Sequence, residues 1–172
     1  EDSPLLDRLV GIADLGGGTV IVDAIDDMNL TTLHGQFFEG AFKLYENIRE
    51  VLVGQGHKIS VYEVETMLRE GGIGEMYTWS PNSRETFDFT SVVMKERRRY
   101  SRRVASMILS VFKDLSKFYR ILITGGTANL VVKEEILAEI PIAEFSENSE
   151  VANLNGFYKY GLNAGLGDDD EE

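Results

Sequence analysis

The segment Asp14-Leu15-Gly16-Gly17-Gly18-Thr19 constrains this chain more than any other. It lies between two apolar runs, Leu9-Val10-Gly11-Ile12-Ala13 and Val20-Ile21-Val22-Asp23-Ala24-Ile25, that read as strands. Strand, glycine turn, strand is the pattern of a tight bend. Consecutive glycines leave its backbone bare, so successive N–H groups can converge on an anion. Thr19 adds a hydroxyl and Asp14 a carboxylate. That carboxylate would repel a phosphate unless a Mg²⁺ ion with its waters lay between them. The phosphate loop that opens a helix is a different device, because it needs a lysine after its last glycine.

A second glycine signature follows far downstream, in Ile121-Leu122-Ile123-Thr124-Gly125-Gly126-Thr127-Ala128-Asn129. It reads as a strand that ends in a glycine pair and runs into a helix. A nucleotide can approach the backbone there, near the positive end of the helix dipole. Asn129 could contact a base, or simply face solvent from the helix. Either signature alone is most simply a close turn; the two in this order are more specific.

The pair resembles motifs of the actin, sugar-kinase and seventy-kilodalton-chaperone superfamily. Asp14 to Thr19 is similar to its second phosphate motif, and Ile123 to Ala128 to its adenosine motif. Within the superfamily the chain most resembles bacterial actin-like plasmid-segregation proteins of the ParM/StbA type. The path between the motifs is short. The stretch Val151-Ala152-Asn153-Leu154-Asn155-Gly156-Phe157-Tyr158 is similar to the family's last helix. The resemblance runs from about Leu9 to Leu162.

It implies an α/β fold of the actin-like, ribonuclease-H-like kind, and binding of ATP or GTP with Mg²⁺. Asp14 would be the catalytic carboxylate, holding Mg²⁺ through water and positioning the hydrolytic water. Gly16, Gly17, Gly18 and Thr19 would bind the β- and γ-phosphates. Gly125, Gly126 and Thr127 would lie against the α-phosphate, ribose or base. Arg69 and Glu70 end a predicted helix. The superfamily has a basic–acidic pair near this place that contacts ribose and adenine, although an exposed charged helix end explains these two residues equally well.

The resemblance further implies a cytoplasmic cytoskeletal protein that polymerises into filaments and moves plasmid DNA through a separate DNA-binding adaptor. Only thirteen residues precede Asp14, and they hold neither a first phosphate motif nor the connecting helix of the superfamily. The expectation is therefore the second half of an actin-like protein, with half a nucleotide cleft and no activity by itself. Two rivals remain open at this point. One is a chaperone-like or sugar-kinase-like ATPase of the same superfamily; the other is a non-catalytic interaction domain.

Composition bounds these readings. Seventeen basic and 29 acidic residues give a net charge of −12, which disfavours direct, sequence-independent DNA binding. There is no cysteine, and neither a transmembrane run nor a signal-peptide pattern is visible. The terminal Asp168-Asp169-Asp170-Glu171-Glu172 reads as a solvated acidic tail over 167–172.

Periodicity predicts strands at Leu9–Leu15, Thr19–Ile25 and Leu30–His34, then a helix from Phe37 to Leu52 closed by Gly54-Gln55-Gly56. A second helix runs from Ser60, a candidate N-cap with Glu63 three residues on, to Glu70. Residues 71–90 read as irregular. A long helix is expected from Thr90 to Lys117, followed by strand 119–124, helix 127–138, strand 141–146 and helix 149–164.

The order β-β-β-α-β-α-β-α suggests a mixed sheet covered by helices. The core would be about 1–50 and 90–166, with residues 51–89 as a small inserted helical subdomain, all within an actin-like domain spanning 1–166. The Phe37-Phe38 pair is expected in the core. The basic cluster Lys95 to Arg103 is expected on a solvated helix face or at a contact between subunits. His34 and His57 suggest no metal site.

Overall fold

The computed structural model describes residues 8–27, 29–71 and 76–146. Its core is a five-stranded sheet in the order β3-β2-β1-β6-β7. The strands are β1 (Val10–Leu15), β2 (Val20–Asp26), β3 (Asn29–Phe37), β6 (Arg120–Thr124) and β7 (Ala143–Phe145). β1 pairs antiparallel with β2 and parallel with β6, so the mixed sheet expected from the sequence forms. Strict alternation puts Ala13, Leu15, Val20, Val22 and Ala24 into the core. β1 and β6 run side by side in the same direction, with Asp14 opposite Thr124. That register brings the ends of both strands, and hence both glycine turns, to the same end of the sheet.

Helix α1 (Ala41–Gly54) buries Ala41, Leu44, Tyr45, Ile48 and Leu52 along one stripe. It ends in a Schellman motif. Gly56, at φ 95°, donates to the Val53 carbonyl at 3.0 Å, and His57 donates to Leu52 at 3.1 Å. Helix α2 (Val61–Gly71) opens with a full capping box. The Glu63 N–H donates to Ser60 Oγ at 3.2 Å, and the Ser60 N–H donates to Glu63 Oε2 at 2.8 Å. Glu63 also accepts from Trp79 Nε1 at 3.1 Å, and these bonds, those from Ser60 foremost, hold its carboxyl below the usual glutamate range. Ser60→Ala should cost about 1 kcal/mol in urea unfolding.

Three predicted elements differ. The stretch read as irregular contains a hairpin of β4 (Thr78–Asn82) and β5 (Glu85–Asp88). Pro81 hid it, since proline suits only an edge or irregular strand. The hairpin is held by Trp79 stacked on Phe87 at 6.0 Å and by an Asn82 side chain that accepts from the Arg84 N–H at 2.9 Å. The long helix α3 (Thr90–Val111) stops before Lys117. Phe112 turns into the core against Phe118, with rings 4.5 Å apart, and Asp114 caps a separate 3₁₀ turn at Leu115–Lys117. The helix expected at 127–138 divides into a 3₁₀ turn, Ala128–Leu130, and α4 (Lys133–Glu139). Arg97 takes the carbonyls of Asn129 and Leu130, and the Val132 N–H goes to Ser101 Oγ. Groups that would have continued the helix are thereby used elsewhere.

Phe38 is 80% exposed, contrary to the expectation of a core pair, while Phe37 is half-buried. β3 ends at Phe37, and the chain turns there toward α1, leaving the next side chain outside the sheet. The helix read at 149–164 and the acidic tail lie outside the described residues. The basic cluster is partly internal to the fold. Arg97 is buried, Arg102 bonds Glu135 at 3.0 Å, and Arg103 grips Glu39 beside the start of α1.

The Arg103 guanidinium holds the Glu39 carboxyl below its usual value. Because the folded value is depressed, the pair's contribution is complete above the ordinary glutamate range and fades as pH falls through the lower folded value. The pair is well exposed. Glu39→Gln should therefore cost only about 0.5 kcal/mol at neutral pH, and the cost should shrink as the pH is lowered through the acid range, measured by urea unfolding across it.

Candidate functional site

The first glycine turn joins β1 to β2, with Gly16 N–H donating to the Thr19 carbonyl at 2.8 Å. Its other carbonyls all point at the start of α1. Gly40, Ala41 and Phe42 donate to Gly18, Gly16 and Gly17 at 3.3, 3.1 and 2.8 Å. The helix N-terminus, whose N–H groups have no partner within the helix, thus binds the outside of the turn. Among the described residues, the N–H groups of Gly17 and Gly18 donate to no protein acceptor. The turn therefore offers carbonyls to the helix and bare N–H groups at its tip.

The second bend comes directly against the first. Thr127 Oγ1 donates to the Leu15 carbonyl at 2.8 Å, and the Thr127 N–H donates to the same oxygen at 3.1 Å. Gly125, buried and at φ 99°, passes so close that a Cβ there would lie 2.3 Å from Asp14 Oδ1 and 2.5 Å from the Leu15 backbone. Only glycine fits both the dihedral and the gap. Gly18 and Gly126 differ: both are exposed, and a Cβ on either would meet nothing within 4 Å. The space over them is open to solvent.

Asp14 sits half-buried at the end of β1, within this junction. Its neighbour in register, Thr124, is 4% exposed, and its hydroxyl has no partner among the described residues. No group of three or more His, Asp or Glu side chains among the described residues could hold a metal. A metal here would depend on Asp14, waters and a ligand's phosphates, which suits Mg²⁺.

A cavity of about 580 Å³ opens one turn beyond Thr127. Its walls include Arg69, Tyr77, Arg97, Asn129, Leu130 and Lys133. Arg69 and Asn129, distant in sequence, thus share a chamber. Glu70 is exposed at the end of α2 and is not among the described residues lining it. Gly16, Gly17, Gly18, Thr19, Gly125, Gly126, Thr127 and Asp14 form one continuous junction.

Two residues of this region escaped the sequence reading. Gly40 is buried, and a Cβ on it would lie 2.5 Å from the Gly16 and Gly17 carbonyl oxygens. The sequence reading ran a helix through it from Phe37, and a glycine inside a predicted helix was its only signal. Arg97 lay hidden in a basic cluster. Its signal was phase: it falls in step with Val93, Tyr100 and Val104 on the buried stripe of α3.

Among solved structures, the actin-like protein Alp7A superposes with a TM-score of 0.77 at 17% identity, covering 96% of this chain and 48% of that one. ParM of Bacillus thuringiensis with ATP gives a TM-score of 0.69 at 16% identity, covering 96% and 49%. A 15-stranded ParM filament from Clostridium botulinum gives 0.71 at 17% identity, covering 92% and 47%. The chain therefore has the actin-like fold, and it spans about half the length of these structures. A search of curated proteins returned no match. Residues 9–155 match the family described as the Alp7A C-terminal domain, and the chain belongs to that family.

Proposed function

We propose that this chain is the nucleotide-binding second half of a filament-forming, actin-like ATPase that acts in plasmid DNA segregation. The observation that carries the reading is the junction of the two glycine bends through Thr127 and the Leu15 carbonyl. Open space over Gly18 and Gly126 supports a ligand cradle there. The ParM relative seen with ATP and the one seen as a filament support nucleotide use and self-association. Coverage of about half of each relative supports a second actin-like half as the partner that completes the cleft. A DNA-binding adaptor would connect such a filament to its cargo, since the chain's charge of −12 disfavours direct DNA contact. We place it in the cytoplasm; no helix among the described residues is long and apolar enough to cross a membrane.

In this reading the bare N–H groups of Gly17 and Gly18, with the Thr19 hydroxyl, hold the β- and γ-phosphates of ATP or GTP. Gly125, Gly126 and Thr127 let the α-phosphate and sugar approach the backbone. Arg69 stands in the chamber beyond, toward the base, while Glu70 lies outside the residues that line it. When bound, Mg²⁺ neutralises phosphate charge and orders water. Asp14 would hold that ion and orient the attacking water.

The test joins this chain to the first half of the protein and titrates Mg-ATP, then sediments the product. Binding followed by pelleting is the expected result; binding without polymerisation under any condition overturns the filament reading. Two substitutions sharpen it. Gly18→Ala and Gly126→Ala should leave the melting temperature unchanged and weaken nucleotide binding about tenfold. Asp14→Asn should keep binding and slow hydrolysis about 100-fold. Unchanged affinity in both glycine variants would remove the cradle.

A further inference from the structure

Arg97 is 9% exposed, on the buried stripe of α3. Its guanidinium donates through Nε to the Leu130 carbonyl at 2.8 Å and through Nη2 to the Asn129 carbonyl at 3.1 Å. Its Nη1 donates to the Tyr77 hydroxyl and lies 3.8 Å from the Met94 sulfur. None of the ion pairs among the described residues includes it. Burying a cation against dipoles alone is costly, and an apolar side chain of similar volume would serve packing as well. What the planar fork adds is direction, because it fixes several acceptors in one plane.

Those acceptors belong to separate elements. Asn129 and Leu130 form the 3₁₀ turn that follows the second glycine bend, and the Leu130 N–H donates back to Thr127 at 3.0 Å. Tyr77, 1% exposed, leads into β4, donates its N–H to Thr90 Oγ1 at 2.9 Å and accepts from the Phe89 N–H at 2.8 Å. An unbroken series of hydrogen bonds thus runs from the Leu15 carbonyl through Thr127, Leu130, Arg97 and Tyr77 to the base of the β4–β5 hairpin. Arg97, Tyr77, Asn129 and Leu130 are also walls of the 580 Å³ chamber.

We propose that Arg97 is a positioning residue: it holds residues 128–130 in the shape that receives the nucleotide's base, and it ties that turn to the β4–β5 hairpin through Tyr77. The proposal rests on the nucleotide reading above. Lysine at 97 keeps the charge but has no fork. Arg97→Lys therefore frees at least one of the two carbonyls while the fold survives. Tyr77→Phe removes only the hydroxyl and leaves both carbonyl bonds intact.

The first experiment is amide hydrogen exchange without nucleotide. Arg97→Lys should speed exchange about tenfold or more at both Leu130 and Phe89, with β1 and β2 amides unchanged. Tyr77→Phe should speed Phe89 and leave Leu130 unchanged. Equal exchange in wild type and Arg97→Lys overturns the tie. The second is competition binding with Mg-ATP and with inorganic tripolyphosphate, using this chain joined to the first half of the protein. Arg97→Lys should weaken ATP about tenfold and leave tripolyphosphate unchanged, since the phosphates rest on the glycine turn and only the base rests on residues 128–130. An equal loss for both ligands reduces Arg97 to general stability and overturns the positioning role. If wild type binds neither ligand while Arg97→Lys still loosens Leu130 and Phe89, the nucleotide reading falls, the base-receiving role falls with it, and the structural tie stands.

Discussion

Gly125→Ala is expected to destabilise the protein by about 3 kcal/mol or more in urea or thermal unfolding. Two independent costs combine. A residue with a Cβ held at φ 99° is strained by about 1–3 kcal/mol. The new methyl would also overlap Asp14 Oδ1 at 2.3 Å and the Leu15 backbone at 2.5 Å. These are a short strand-end side chain and main-chain atoms, so relief requires moving β6 away from β1. Forced packing of that kind adds about 1–3 kcal/mol. For a chain of this size the melting temperature should fall by roughly 6–12 °C. Gly126→Ala is the internal control, because its methyl meets open space and should leave the melt unmoved. Equal melts for the two variants would mean that the bends do not press together as described.

Gly40→Ala should cost about 3 kcal/mol and also weaken nucleotide binding by more than about tenfold. The added methyl would lie 2.5 Å from the Gly16 and Gly17 carbonyl oxygens and 2.6 Å from Thr19 N. All three are backbone atoms of the glycine turn, so α1 must lift away. The hydrogen bonds from Gly40, Ala41 and Phe42 then lengthen or break. Those bonds aim the turn's carbonyls at the helix and leave its bare N–H groups at the tip. Their loss should degrade the cradle as well as the fold. Gly18→Ala separates the two effects, since it should touch affinity alone. A Gly40→Ala protein with native stability and native affinity would show that the turn keeps its shape without α1.

Much of the fold was legible because its signals were local. β1 and β2 are dense apolar runs, α1 and α3 carry apolar stripes, and the Ser60–Glu63 capping box formed as written. The errors have two causes. The 127–138 helix divides because Arg97 and Ser101, on another helix, take groups that an uninterrupted helix would need. The β4–β5 hairpin, crossed by Pro81, owes its order to stacked aromatic rings and side-chain hydrogen bonds. A window reading misses the first because the deciding partners lie far away in the chain, and the second because the proline masks a hairpin whose partners are close by.

From its residues alone, the chain declared two glycine bends at the ends of two strands, one beside a carboxylate. Backbone chemistry makes that readable, since glycine at a strand end has few reasons to be there. That the bends meet was a matter of tertiary structure. It follows from the parallel register that sets Asp14 opposite Thr124, and from the missing side chain at Gly125 that lets two backbones touch. The role of Gly40 beneath the turn and of Arg97 behind the chamber was likewise decided in three dimensions, because each acts on atoms that sequence distance conceals.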